Sequence, residues 1–168
     1  MTPTSPRRRR ASAEFPNELE VRVTRDFDAP IELVFDVFTK PEHVVHHFAP
    51  FDEEVRVSEI DLRVGGDYHY VMVTSDGTEC SFRGTFLEID PPHRTVQTWT
   101  FGGWPDAEAV ETMELAEVDG LTRLTNHLVF GDAAGRAHMT RYDGLEASFD
   151  HVEDYLESLS RPPGPAGA

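Results

Sequence analysis

From about residue 19 to residue 130, apolar and polar positions mostly alternate with a period of two, the signature of half-buried strands. The first such run, Leu19-Glu-Val-Arg-Val-Thr-Arg-Asp-Phe27, gives way to a helical period. Asp28-Ala-Pro30 is expected to open that helix, because Asp can cap and Pro30 suits a first turn with no use for its missing N–H. Ile31, Val34, Phe35 and Phe38 then share one helical face. Thr39 and Glu42 have the spacing of a capping box and predict a second short helix through Phe48. Six further strands follow, at about 54–62, 67–74, 79–89, 94–101, 108–117 and 122–130. Asp-Gly at the centres of Ser75–Thr78 and Val118–Leu121 marks hairpins, and Asp90-Pro-Pro-His93 and Gly102-Gly-Trp-Pro105 mark two further reversals. No helix separates these strands, so an antiparallel meander is expected. From about 135 to 160 the helical period returns, with Leu145, Phe149, Val152, Leu156 and Leu159 in one stripe.

The order β-α-α-β-β-β-β-β-β-α defines an α+β chain. A seven-stranded antiparallel sheet with one polar face must bury its other face, and only the C-terminal helix is long enough to cover it. The sheet is expected to curl around that helix, with the two short helices closing one end. A single helix does not fill a strongly curved sheet, which leaves room for a cavity.

Composition narrows the functional classes. A chain of 168 residues suits one domain. The formal net charge is −16, and Arg7–Arg10 lie outside the patterned region, so its surface is strongly acidic. Such a surface repels phosphate backbones, and the folded domain is not expected to bind nucleic acid. Cys80 is the single cysteine, which excludes a disulfide framework and fits a reducing cytoplasm. No apolar run approaches the roughly 20 residues needed to span a bilayer. Residues 1–16, rich in Pro and Arg, and 161–168, rich in Pro and Gly, are expected to be disordered tails around a domain at 17–160. The arginine tail is a candidate protein contact.

One ordered set of motifs resembles a known family. Phe27-Asp-Ala-Pro30 with Val34-Phe35, Thr39-Lys-Pro-Glu-His43, Glu59-Ile-Asp-Leu-Arg-Val-Gly-Gly66, Phe82-Arg-Gly84, Glu88-Ile-Asp-Pro-Pro92 and Thr122-Arg-Leu-Thr125 with His127 span about residues 20–158. Together they resemble bacterial members of the SRPBCC (START-like, Bet v 1-like) superfamily, in the group related to the C-terminal domain of the activator of Hsp90 ATPase. The resemblance implies a helix-grip fold. Many relatives carry Trp-Trp where this chain has His47-Phe48, and Gly-Trp where it has Gly144-Leu145. Both places border the implied cavity, so a relative's ligand does not transfer.

The candidate site follows from strand parity. Tyr68, Tyr70 and Met72 share a face after the Gly65-Gly66 turn; Phe82 and Phe86 share another, as do Trp99 and Phe101. With Phe35 and Phe48 from the short helices, and Leu145 and Phe149 from the long one, they are expected to line a cavity for a small hydrophobic or aromatic molecule. Tyr68, Tyr70, His127 and Glu114 are the candidate polar groups.

Catalysis is not assigned. The alternative is a cyclase- or aromatase-like enzyme of the superfamily, in which an inward His or Glu serves as acid or base, for example His69 or His127 near Glu88 or Glu114. A third reading is a chaperone-associated protein. No cofactor is implied: Gly65-Gly66 and Gly102-Gly103 follow turn logic rather than that of a phosphate loop. Ser75, Ser81 and Ser148 lack a nucleophile elbow. His43, His46 and His47 have helical spacing, so His43 and His47 could share a face, but no third ligand is visible and no metal site is assigned.

Overall fold

The computed structural model describes residues 11–49, 53–140 and 144–160, with the backbone alone at 144–147. Its elements are β1 (Ser12–Glu14), β2 (Glu20–Phe27), α1 (Ile31–Thr39), α2 (Pro41–Val44), β3 (Glu54–Ile60), β4 (Asp67–Val73), β5 (Glu79–Asp90), β6 (Arg94–Phe101), β7 (Ala109–Val118), β8 (Leu121–Phe130), α3 (Ala133–Met139) and α4 (Gly144–Ser160). The strands form one antiparallel sheet in the order β1-β2-β8-β7-β6-β5-β4-β3. This is the expected α+β helix-grip architecture: a curved meander closed by its first long strand and backed by the C-terminal helix.

Three details differ from the sequence expectation. The sheet has eight strands, because Ser12–Glu14, in the stretch expected to be a tail, pairs with Arg22–Thr24 on the open edge of β2. All three β1 residues are exposed and none is β-branched, so backbone pairing forms this strand without an apolar pattern to announce it. The terminal helical region is also two helices. Asp132 caps α3 by accepting from the backbone N–H groups of Ala134 and Gly135, and α3 ends at Met139 with Thr140 as its C-cap. The apolar stripe never extended before Leu145, so nothing held 135–160 to a single helix. Lastly, neither expected cap forms. Pro30 is the N-cap of α1 and Lys40 that of α2, while Thr39 gives its hydroxyl hydrogen to the Phe35 carbonyl. The expectations for 1–10, 50–52, 141–143 and 161–168 lie outside the described residues.

Two buried clusters fill the inner face. One joins β2, β7, β8, α1 and α4 through Val21, Phe27, Val34, Phe35, Leu124 and Phe149, among others. The second joins β4, β5 and the segment after α2 through Val44, Ala49, Tyr68, Tyr70, Met72, Phe82 and Phe86. Ile89, Trp99 and Met139 pack against both. Burial of these apolar surfaces, at about 25 cal/mol per Å², is the main stabilising term.

Bulges adjust the sheet where the clusters meet. The β5–β6 register shifts between Phe86 and Glu88, and a bulge of this kind bends and twists a strand locally. Gly65-Gly66 docks beside it: the Gly65 N–H donates to the Phe86 carbonyl at 2.8 Å and the Phe86 N–H to the Gly66 carbonyl at 2.9 Å. Gly65 has φ +85°, and a Cβ on Gly66 would lie 2.1 Å from the Asp61 carbonyl oxygen. The two glycines therefore let this turn close against β5.

Candidate functional site: the inner face of the sheet

Strand alternation sets which side chains reach the interior. On β7 the buried residues Ala109, Met113 and Leu115 share a face with Glu111. On β8, Leu124, Leu128 and Phe130 share a face with Asn126. On β6, Thr95 and Trp99 flank Gln97. Register then brings the three polar side chains together, because Gln97 stands directly opposite Glu111 and Asn126 stands opposite Met113, one pair along. Gln97 Nε2 donates to one Glu111 carboxylate oxygen at 2.8 Å, and Asn126 Nδ2 donates to the other at 3.4 Å. Glu111, Gln97, Asn126 and Trp99 point inward yet each keeps accessible surface, unlike the buried residues beside them.

Glu111 is enclosed closely enough for burial to lift its carboxyl to about 6, despite the two amide donors that work against the rise. Two hydroxyls look toward the same region. Tyr68 gives its hydrogen to the Thr98 carbonyl at 2.6 Å. Burial, and secondarily the Glu111 charge, push the Tyr68 and Tyr70 hydroxyls above the ordinary phenol range, so both stay protonated. The aromatic wall is continuous: Phe48 packs on Tyr70 with centroids 4.6 Å apart, Tyr70 on Tyr68 at 5.1 Å, Tyr68 on Phe86 at 5.6 Å and Phe82 on Trp99 at 5.4 Å.

The structure thus gathers Phe48, Tyr68, Tyr70, Met72, Phe82, Phe86 and Trp99 along one side of the interior. Phe35 and Phe149 belong to the other cluster, Phe149 packing on Phe27 at 6.3 Å. The side chain of Leu145 lies outside the described residues. Two polar candidates are corrected. Glu114 is exposed on the outer face and pairs with Arg94. His127 is also on the outer face, its Nε2 3.4 Å from a Glu20 carboxylate oxygen. Each lies one residue from an inward neighbour, Met113 or Asn126, and a shift of one residue in a strand reverses the face. Counting from Ala109 and Leu115, or from Leu124 and Phe130, would have found Glu111 and Asn126: polar residues set into otherwise apolar rows.

The other candidates have local roles. Glu88 is exposed and pairs with Arg94. His47 is buried and its Nε2–H donates to the Val37 carbonyl at 2.7 Å; burial lowers its pKa to about 4. His46 stacks on Tyr155 at 4.9 Å, and His43 Nδ1 lies 2.5 Å from the Tyr155 hydroxyl. Among the described residues no His, Cys, Asp or Glu group is arranged to hold a metal ion. Burial and neighbouring carboxylates push the Cys80 thiol up, away from the reactive thiolate. An open cleft of about 490 Å³ lies elsewhere, between the β2–α1 and β7–β8 turns, lined by Asp28, Pro30, Glu117, Asp119 and Thr122 among others. Its lining includes none of Gln97, Glu111, Asn126 or the aromatic wall.

Residues 28–157 match the family described as Activator of Hsp90 ATPase homolog 1-like protein. The chain belongs to this family. Solved structures with the same fold include a Rhodobacter sphaeroides protein with a TM-score of 0.81 and 18% identity, covering 89% of this chain and 100% of its own. A Nitrosomonas europaea protein has a TM-score of 0.74 at 24% identity over 86% of this chain and 98% of its own. A Chromobacterium violaceum protein has a TM-score of 0.71 at 27% identity over 88% of this chain and 100% of its own. No curated protein matches the chain. Membership of the Activator of Hsp90 ATPase homolog 1-like family gives the chain an SRPBCC-type helix-grip domain, a fold of ligand-binding type. Among the described residues no helix is long and apolar enough to cross a membrane.

Proposed function

We propose that this family member is a cytosolic protein that binds a small hydrophobic or aromatic molecule between the inner face of its sheet and the C-terminal helix. The observation that carries this reading is the inward, part-buried polar row of Gln97, Glu111 and Asn126, set among buried side chains and beside an aromatic wall. Mostly apolar recesses with a few convergent polar groups are the usual form of a small-molecule site. The single cysteine supports a reducing compartment. Native mass spectrometry against a panel of aromatic metabolites and fatty acids tests the reading. Retention of one molecule per chain is expected, weakened by Trp99→Ala. A crystal structure with no void between the sheet and α4 would overturn it.

A second reading is favoured by Glu111 alone. A carboxyl that titrates near 6 is suited to take and return a proton close to neutral pH, as a cyclase-like reaction would require. Turnover of a bound ligand, abolished in Glu111→Gln with binding retained, would establish it.

A further inference from the structure

Glu111 is a carboxylate held in the interior without a cation. Among the described residues its hydrogen-bond partners are two neutral amides, and no Lys, Arg or His contributes to its titration. The titratable groups turned toward it are Tyr68 and Tyr70 from β4, both neutral. The buried residues of α4 (Phe149, Val152 and Leu156) and the adjoining Met139 of α3 carry no charge. The same sheet shows what compensation looks like. Arg25, two strands away on β2, is wholly buried and meets Asp150 at 3.0 Å and Glu153 at 2.6 Å. An interior charge without such a partner is strongly disfavoured.

Beside Glu111, the buried Oδ1 of Asn126 accepts no hydrogen bond. The row therefore presents a charged acceptor and a free neutral one, next to the electron-rich faces of Tyr68, Phe86 and Trp99. A head group with several N–H donors and a positive charge satisfies both acceptors and is drawn to the rings as well. The net charge of −16 adds a long-range field that concentrates cations.

We infer that the interior site selects a small apolar or aromatic molecule bearing a protonated nitrogen, an ammonium or amidinium head that pairs with Glu111 and donates to Asn126 Oδ1. This rests on the proposed ligand-binding role and names its ligand class. A neutral isostere leaves the carboxylate uncompensated, and a carboxylate ligand is repelled.

Calorimetric titration at pH 7.5 with 2-naphthylmethylamine, 2-naphthylmethanol and 2-naphthoate tests it on the full chain. The amine is expected to bind at least tenfold tighter than the alcohol, and the acid weakest. Glu111→Gln is expected to erase the preference for the amine while alcohol binding persists. Equal affinity of amine and alcohol, or a preference for the acid, overturns the inference and leaves the cavity reading standing. Absence of binding by all three overturns the inference, and if the panel of aromatic metabolites and fatty acids also fails it overturns the cavity reading as well.

Discussion

Tyr68 crosses strand β5 to hydrogen-bond the Thr98 carbonyl of β6 at 2.6 Å, and Gly84 is what lets it pass. A Cβ at Gly84 would lie 1.8 Å from that carbonyl oxygen and 2.6 Å from the Tyr68 ring and hydroxyl. Gly84→Ala must therefore displace both backbone and ring, at about 2–3 kcal/mol. Tyr68→Phe removes only the hydrogen bond and costs about 1 kcal/mol. Urea denaturation distinguishes the two. Because the backbone clash survives truncation of the ring, Tyr68→Ala is not expected to rescue Gly84→Ala.

Arg25 fastens α4 to the sheet, and the consequences of removing each side differ. Its side chain has no accessible surface, whereas Asp150 and Glu153 keep 31% and 28% of theirs. Arg25→Met leaves carboxylates that can turn to water, and a loss of about 1 kcal/mol is expected. The double variant Asp150→Asn, Glu153→Gln strands a buried guanidinium and is expected to cost roughly 3 kcal/mol or more. Equal losses in the two proteins would contradict this asymmetry.

His47 and Glu111 give stability opposite pH dependences. His47 has a folded pKa of about 4 against an ordinary 6.5. The unfolded chain takes up its proton first, so stability present above pH 6.5 falls as pH drops toward 4, by roughly 3 kcal/mol. Glu111 has a folded pKa of about 6 against 4.5. The folded chain takes up that proton first, so stability rises as pH falls from 6 to 4.5, by about 2 kcal/mol. The two contributions largely cancel between pH 6 and 4.5 in the natural chain. Glu111→Gln is expected to expose the acid-induced loss, and His47→Phe to expose the gain. Denaturation midpoints at pH 7, 6, 5 and 4.5 check both slopes.

At neutral pH the Glu111 charge works against folding. Glu111→Gln is expected to raise stability at pH 7.5 by about 2 kcal/mol. The new amide can accept from Gln97 and donate to the otherwise unpartnered Asn126 Oδ1. A stabilising substitution that abolishes ligand selection is what a functional residue in a core predicts. A destabilised Gln variant would instead assign Glu111 a structural role.

Much of this was legible in the sequence. Asp76-Gly77 and Asp119-Gly120 fixed the two hairpins, with Gly77, Asp119 and Gly120 at positive φ. The alternation after Gly66 placed Tyr68, Tyr70 and Met72 inward. The polar residues of the site were harder to read. His127 stands in a family motif and Glu114 beside an apolar row, yet both occupy outward positions, whereas Glu111 and Asn126 sit unremarked in apolar rows. Their pairing depends on the registers of β6, β7 and β8, which no local pattern states. The edge strand β1 likewise arises from tertiary pairing, and the start of α3 from capping by Asp132.

Both functional readings require that a ligand enter the space beside Glu111. Intermolecular NOEs between bound 2-naphthylmethylamine and isotope-labelled protein test it most directly. Contacts from the naphthyl ring to Tyr68, Phe86, Trp99 and Met113 are expected. Contacts confined to the outer face, or to the cleft between Asp28 and Thr122, would contradict it.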